Sequence, residues 1–113
     1  MTDERAFDVE TVASALAVSG RPYHEFLRSP SLSAGLYVLA AGKEDRQRPH
    51  TEDEIYVVLD GRSRFRTGEM EVDVRAGSIF FVPAAEPHRF LDITQTLRVA
   101  VIFAPPEGSA QPG

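Results

Sequence analysis

Apolar positions run first at helical spacing and then, from about residue 23 onward, in short strand-like bursts separated by glycine, proline and charged turns. Val9, Val12, Ala13, Leu16 and Ala17 recur at helical intervals and predict a short helix over residues 8–19. Asp8 is suited to cap its start, and Gly20 sits where a C-terminal cap belongs. Residues 23–27 read as a first strand, stopped by Ser29-Pro30-Ser31. Residues 34–40 read as a second, with Gly35 marking a bulge or a close packing contact. Residues 41–49 form a polar loop. Pro49 biases Arg48 toward extended geometry and so feeds His50 into a new strand. That strand runs to Asp60-Gly61, a turn dipeptide.

A hairpin follows over residues 61–74. A two-residue turn on Thr67-Gly68 sets Arg66 opposite Glu69, Arg64 opposite Glu71 and Arg62 opposite Asp73. On the other face Phe65 then meets Met70, and Ser63 meets Val72. Threonine suits a turn of positive φ poorly, so a bulged turn with shifted pairing is the competing arrangement. Its arginines also read as a basic strip for an anion, although the facing acids neutralise them. Further strands are predicted over 78–82, 88–93 and 97–103, with a tight loop at 83–87. Many short strands with closely spaced turns predict an all-β antiparallel sandwich or barrel with one short N-terminal helix. The expected division is an N-terminal segment 1–20, a β domain 21–104 and a disordered tail 105–113.

Composition narrows the function. With 113 residues the chain makes one domain. It has no cysteine, which excludes disulfides, thiolate metal sites and a thiol nucleophile. A net charge of −5 without a basic cluster argues against nucleic-acid binding. No stretch is long and apolar enough for a membrane span. The acidic start, Met1-Thr2-Asp3-Glu4-Arg5, lacks the apolar segment of a signal peptide, so a cytoplasmic location is expected. No Gly-x-Ser-x-Gly elbow or phosphate loop is present.

The chemistry concentrates in His50-Thr51-Glu52-Asp53-Glu54-Ile55-Tyr56. On a regular strand His50, Glu52, Glu54 and Tyr56 share a face. Imidazole and carboxylates turned into a barrel are costly without a partner, and a divalent cation is a suitable one. The same residues at a strand start also suit plain solvation. His88 arrives after the Pro-bracketed loop and meets His50 only through tertiary structure. His24 reads as structural or surface.

These two stretches resemble the motifs of the cupin superfamily. Glu54 stands six residues before Gly61, and His50 stands four before Glu54, at the position of the second motif histidine. Arg48 occupies the position of the first. In the second motif Gly77, Pro83 and His88 match, while Ala85 replaces a glycine and Asp92 an asparagine. The resemblance covers about residues 34–104. It implies a jelly-roll barrel, often a homodimer, with a metal held inside by histidines and a glutamate. Carried over residue by residue, the ligands are His50, Glu54 and His88. Arg48 cannot coordinate, and strand alternation offers Glu52 as an additional ligand. Such a set suits iron, manganese, nickel or zinc. The expected function is binding or transformation of a small molecule at this site, as a metal-dependent dioxygenase or isomerase if it is an enzyme. Arg48, Tyr56, Phe65, Phe81 and Phe90 are the candidate pocket residues, with plain core as the alternative for the aromatics. The competing reading is a metal-free ligand-binding or sensor barrel in which Arg48 contacts an anionic ligand.

Overall fold

The computed structural model describes residues 5–110. Helix α1 (Val9–Ser19) precedes six strands: β1 (Tyr23–Arg28), β2 (Ser33–Leu39), β3 (Asp53–Thr67), β4 (Met70–Val74), β5 (Ile79–Val82) and β6 (His88–Ala104). The helix is bounded as expected. The Asp8 carboxylate accepts from the Thr11 N–H at 3.0 Å, and Gly20 closes the helix at φ 70°. Val12 and Leu16 are buried against Leu36 with Phe26, Val38 and Leu59, so α1 covers part of the outer face of the sheet.

The sheet is antiparallel, in the order β1-β2-β6-β3-β4, with β5 also paired to β3. It rolls into the expected jelly-roll barrel around a core of Tyr37, Tyr56, Val58, Phe65, Phe90, Leu97, Val99 and Phe103. Two long strands do most of the wrapping. One half of β3 pairs with β5 and the end of β6, and the other half pairs with β4 and the start of β6.

This continuity corrects the sequence reading. Asp60-Gly61 is not a turn. It is an irregularity inside β3, with Gly61 at φ 106°. Buried positions are Glu54, Tyr56 and Val58 before it and Ser63, Phe65 and Thr67 after it, so one extra residue switches the inward-facing parity. Residues 88–93 and 97–103 are likewise one strand. Buried positions pass from His88 and Phe90 to Ile93 and Leu97, with Asp92 at φ 49° between them.

The β3–β4 hairpin turns on Gly68-Glu69, one residue later than Thr67-Gly68. Phe65 therefore faces Val72, Arg66 faces Glu71 and Arg64 faces Asp73. Both registers put arginines opposite acids, and each exposed pair contributes only about 0.2–1 kcal/mol, so charge does not decide between them. Gly68 at φ 57° does, because a two-residue turn with glycine at its first central position matches the strand twist. Gly35 serves close packing. A side chain there would overlap the Tyr23 ring, and the bulge of this strand pair lies at Glu25–Leu27 in β1 instead.

Residues 105–110, expected as part of a disordered tail, form a turn laid against the barrel mouth, with Pro106 buried. The Glu107 N–H donates to Ser33 Oγ at 2.9 Å, and the Ala110 N–H donates to Glu52 Oε2 at 3.2 Å. These bonds satisfy backbone groups and one oxygen of the buried Glu52 carboxylate together, which holds the turn down. The remaining expectations for the tail, and those for the first residues, fall on residues 111–113 and 1–4, outside the described residues. No helix among the described residues is long and apolar enough to cross a membrane.

Candidate functional site

His50, Glu54 and His88 meet at one end of the barrel interior. One ligand atom from each lies within 4.8 Å of the others. Glu54 is the second residue of β3 and points inward with Tyr56. His88 opens β6. His50 precedes β3, and its carbonyl accepts from the Ala85 N–H at 2.6 Å, which ties it to the loop before His88.

His50 Nδ1 stands 2.6 Å from Glu54 Oε1, and His88 Nε2 stands 3.6 Å from Glu54 Oε2. The short contact is not an aligned hydrogen bond, since His50 Nδ1 and both Glu54 oxygens are buried without a hydrogen-bond partner. A buried carboxylate without donors is expensive. A cation placed among these converging lone pairs removes the cost, so the donor set fits a divalent ion.

The surroundings orient the ligands. His88 Nδ1 lies 2.9 Å from the Glu86 carbonyl, which can only accept, so Nδ1 carries the proton and Nε2 faces the site. Tyr56 Oη lies 2.9 Å from that Nε2 and donates to Gln47 Oε1 at 2.9 Å. Gln47 is fixed in turn by Asp45, whose Oδ2 accepts from Gln47 Nε2 at 3.0 Å and from the Phe90 N–H at 2.8 Å. One tyrosine proton thus faces two acceptors, Gln47 Oε1 and His88 Nε2. Burial, and then the nearby Glu54, push the Tyr56 phenol well above its usual range. The His50 pKa is raised to about 9 by its contacts with Glu107 and Glu54, against the opposing effect of burial.

The other sequence candidates separate. Glu52 is buried outside the cluster. Its carboxylate accepts from Thr51 Oγ1 and the Ala110 N–H, because β3 becomes regular only at Asp53 and the alternation through residue 52 fails. Burial works to raise its pKa, but the bonds from Thr51 and from the backbone of Gly108 and Ala110 outweigh it and hold it low. Phe65 and Phe90 pack with Tyr56 as core behind His88. Phe81 points outward and is exposed. Arg48 lines the mouth of a cavity of about 580 Å³ with Tyr23, Tyr37, Gln47, His50, Phe103 and Glu107. Among the described residues no carboxylate pairs with it, neither Glu52 nor Glu54. Asp45, Gln47 and Glu107 are the site residues that sequence reasoning missed. The first two lie in a loop that reads as merely polar, and Glu107 lies in a segment that reads as tail.

The family profile described as Cupin domain matches residues 35–104. The chain is a cupin. A protein of Streptomyces coelicolor, the uncharacterized SCO3923, is 41% identical over 103 residues, covering 91% of this chain and 98% of that one. Among solved structures, TT1209 from Thermus thermophilus superposes with a TM-score of 0.69 at 24% identity, covering 89% of this cupin and 97% of that chain. KdgF from Halomonas sp. gives a TM-score of 0.66 at 19% identity, over 74% of this chain and 76% of that one. The DMSP lyase DddQ from Ruegeria pomeroyi gives 0.64 at 24% identity, over 75% of this chain and only 42% of that larger one. These structural likenesses establish the shared fold. Against the cupin motifs, the two departures at Ala85 and Asp92 both carry positive φ, 65° and 49°. Aspartate tolerates that conformation better than alanine does.

Proposed function

We propose that this cupin binds a divalent transition metal through His50, Glu54 and His88 and uses it to bind or transform a small molecule in the adjoining cavity. The observation that carries the reading is the buried, hydrogen-bond-free Glu54 carboxylate between two imidazole nitrogens. Iron, manganese, nickel and zinc all suit two histidines and one carboxylate. A bound ion would supply Lewis-acid polarisation of a substrate oxygen. The chain's own residues supply the rest. Tyr56 presents a hydroxyl oxygen beside His88, Gln47 and Asp45 hold that hydroxyl in place, and Phe103, Tyr23 and Tyr37 give the cavity apolar walls. Elemental analysis of untagged protein and of the His50→Ala, His88→Ala double variant tests it. About one equivalent of metal in the wild type, lost in the variant, is expected. No binding after reconstitution with each of the four metals in turn would sink the reading.

A second reading is favoured by Arg48, a guanidinium at the cavity mouth with no carboxylate partner among the described residues. Here the barrel holds a small anion without metal, as a binding or sensor protein. Thermal stabilisation of metal-free protein by small carboxylates, abolished in Arg48→Ala, supports it. Absence of any such shift removes it.

We also propose a homodimer formed through the outer face where Ile55, Ile79, Phe81 and Ile102 lie exposed. Ile55 pairs across the strands with both Phe81 and Ile102, so they form one apolar patch rather than scattered residues. Helix α1 covers the neighbouring part of this face and leaves the patch open.

A further inference from the structure

The turn after β6 reaches the site from beyond residue 104, where the cupin profile ends. Its backbone is anchored. Besides the bonds to Ser33 and Glu52, Arg28 Nη2 donates to the Glu107 carbonyl at 3.1 Å. From this support the Glu107 carboxylate reaches inward, and its Oε2 lies 3.2 Å from His50 Nε2. The other ring nitrogen of His50 faces Glu54 at 2.6 Å. The imidazole is thus held between two carboxylates, one on each nitrogen.

A neutral imidazole has one N–H to place. On Nδ1 it meets Glu54 out of alignment and leaves the Nε2 lone pair facing the Glu107 carboxylate, which is repulsive. On Nε2 it faces Glu107 and frees the Nδ1 lone pair toward Glu54 and His88. We infer that Glu107 is a positioning residue whose carboxylate selects the tautomer and ring orientation of His50 that direct Nδ1 into the Glu54–His88 set. The buried Glu52 carboxylate then anchors the turn that carries Glu107 and does not itself ligate.

The inference rests on metal binding by that set, so its test separates the two. Affinities of the full chain and of its Glu107→Gln and Glu107→Asp variants for Co²⁺ and Zn²⁺ are measured by competition with a chromogenic chelator. The visible spectrum of the Co²⁺ forms and the Tm of the metal-free proteins are recorded in parallel. Loss of a carboxylate behind a histidine ligand weakens metal binding about 10–100-fold. That loss is expected for Glu107→Gln once affinity is corrected for the His50 proton, which the wild type holds more tightly, with an altered Co²⁺ spectrum, a metal-free Tm that falls at neutral pH but is almost unchanged at pH 10, where His50 is largely neutral in both proteins, and partial recovery in Glu107→Asp. Equal affinity of wild type and Glu107→Gln overturns the inference and leaves the metal site standing. A wild type that binds neither ion overturns both. Affinity that falls only in step with the metal-free Tm at pH 10, without recovery in the aspartate variant, reduces Glu107 to a structural part and overturns the positioning role.

Discussion

The Ala85 N–H donates to the His50 carbonyl at 2.6 Å, so the loop leading to His88 also holds the backbone of the other histidine. Ala85 makes this bond at φ 65°, a conformation that an L-residue adopts at a cost of roughly 1–2 kcal/mol and glycine adopts freely. Glycine loses part of that gain through the greater freedom of its unfolded chain. Ala85→Gly is therefore expected to stabilise the fold by about 0.5–1 kcal/mol, read as a Tm rise of a few degrees. An unchanged or lower Tm would show that the loop does not strain Ala85.

His50 makes stability depend on pH. Its folded pKa is raised to about 9 by Glu107 and Glu54, above the ordinary value of 6.5. A raised folded pKa means that the folded protein binds the proton more tightly than the unfolded chain. The stabilisation is complete below about pH 6.5 and is lost as pH climbs through about 9, amounting to at most about 3 kcal/mol. Urea midpoints of metal-free protein between pH 6 and pH 10 should fall across that window and flatten in His50→Gln. The same proton must leave before His50 ligates, so apparent metal affinity should rise with pH over the same interval.

Gly61 is where β3 changes its inward face. A Cβ there would come within 2.5 Å of the Thr96 carbonyl oxygen and 2.7 Å of Leu97 Cα, both backbone atoms, at φ 106°. Strain and overlap act together, and Gly61→Ala should cost more than about 2 kcal/mol by chemical denaturation. Gly42→Ala, also at positive φ but in open space, should cost less. Equal losses would mean that the contact with Thr96 and Leu97 is easily relaxed.

The apolar patch predicts self-association. Phe81→Glu should convert a dimer to a monomer in light scattering without a large change in far-ultraviolet circular dichroism. A monomeric wild type at micromolar concentration counts against the patch as a dimer face.

The helix is legible in the sequence because its caps and apolar spacing are local. Glu54 and His88 are legible because strand patterning and motif spacing place them on barrel strands, and His50 because motif spacing sets it four residues before Glu54, just ahead of β3. What escapes is non-local or depends on one backbone angle. The parity switches at Gly61 and Asp92 each add a single residue, which an alternating pattern reads as a turn or a strand break. Thr67-Gly68 and Gly68-Glu69 both pair arginines with acids, so composition cannot choose between them. Asp45 reads as one charge among Glu44 and Arg46, and only the approach of the Phe90 backbone and the Tyr37 hydroxyl from distant strands shows why it is buried. Glu107 lies among prolines, glycines and small residues, and nothing near it in sequence signals that its carboxylate turns inward.

Strand β5 has a consequence for handling the protein. Its four residues, Ile79 to Val82, pair only with β3 among the described residues, and two of them, Ile79 and Phe81, are exposed. An uncharged Ile-Phe-Phe-Val edge is a template for adding strands from other molecules. Its shortness and the proline that follows are the protections it has. Partial opening at this edge on heating should therefore end in precipitation before complete unfolding. A charge at residue 81 would act as a gatekeeper, lengthening the usable life of concentrated samples.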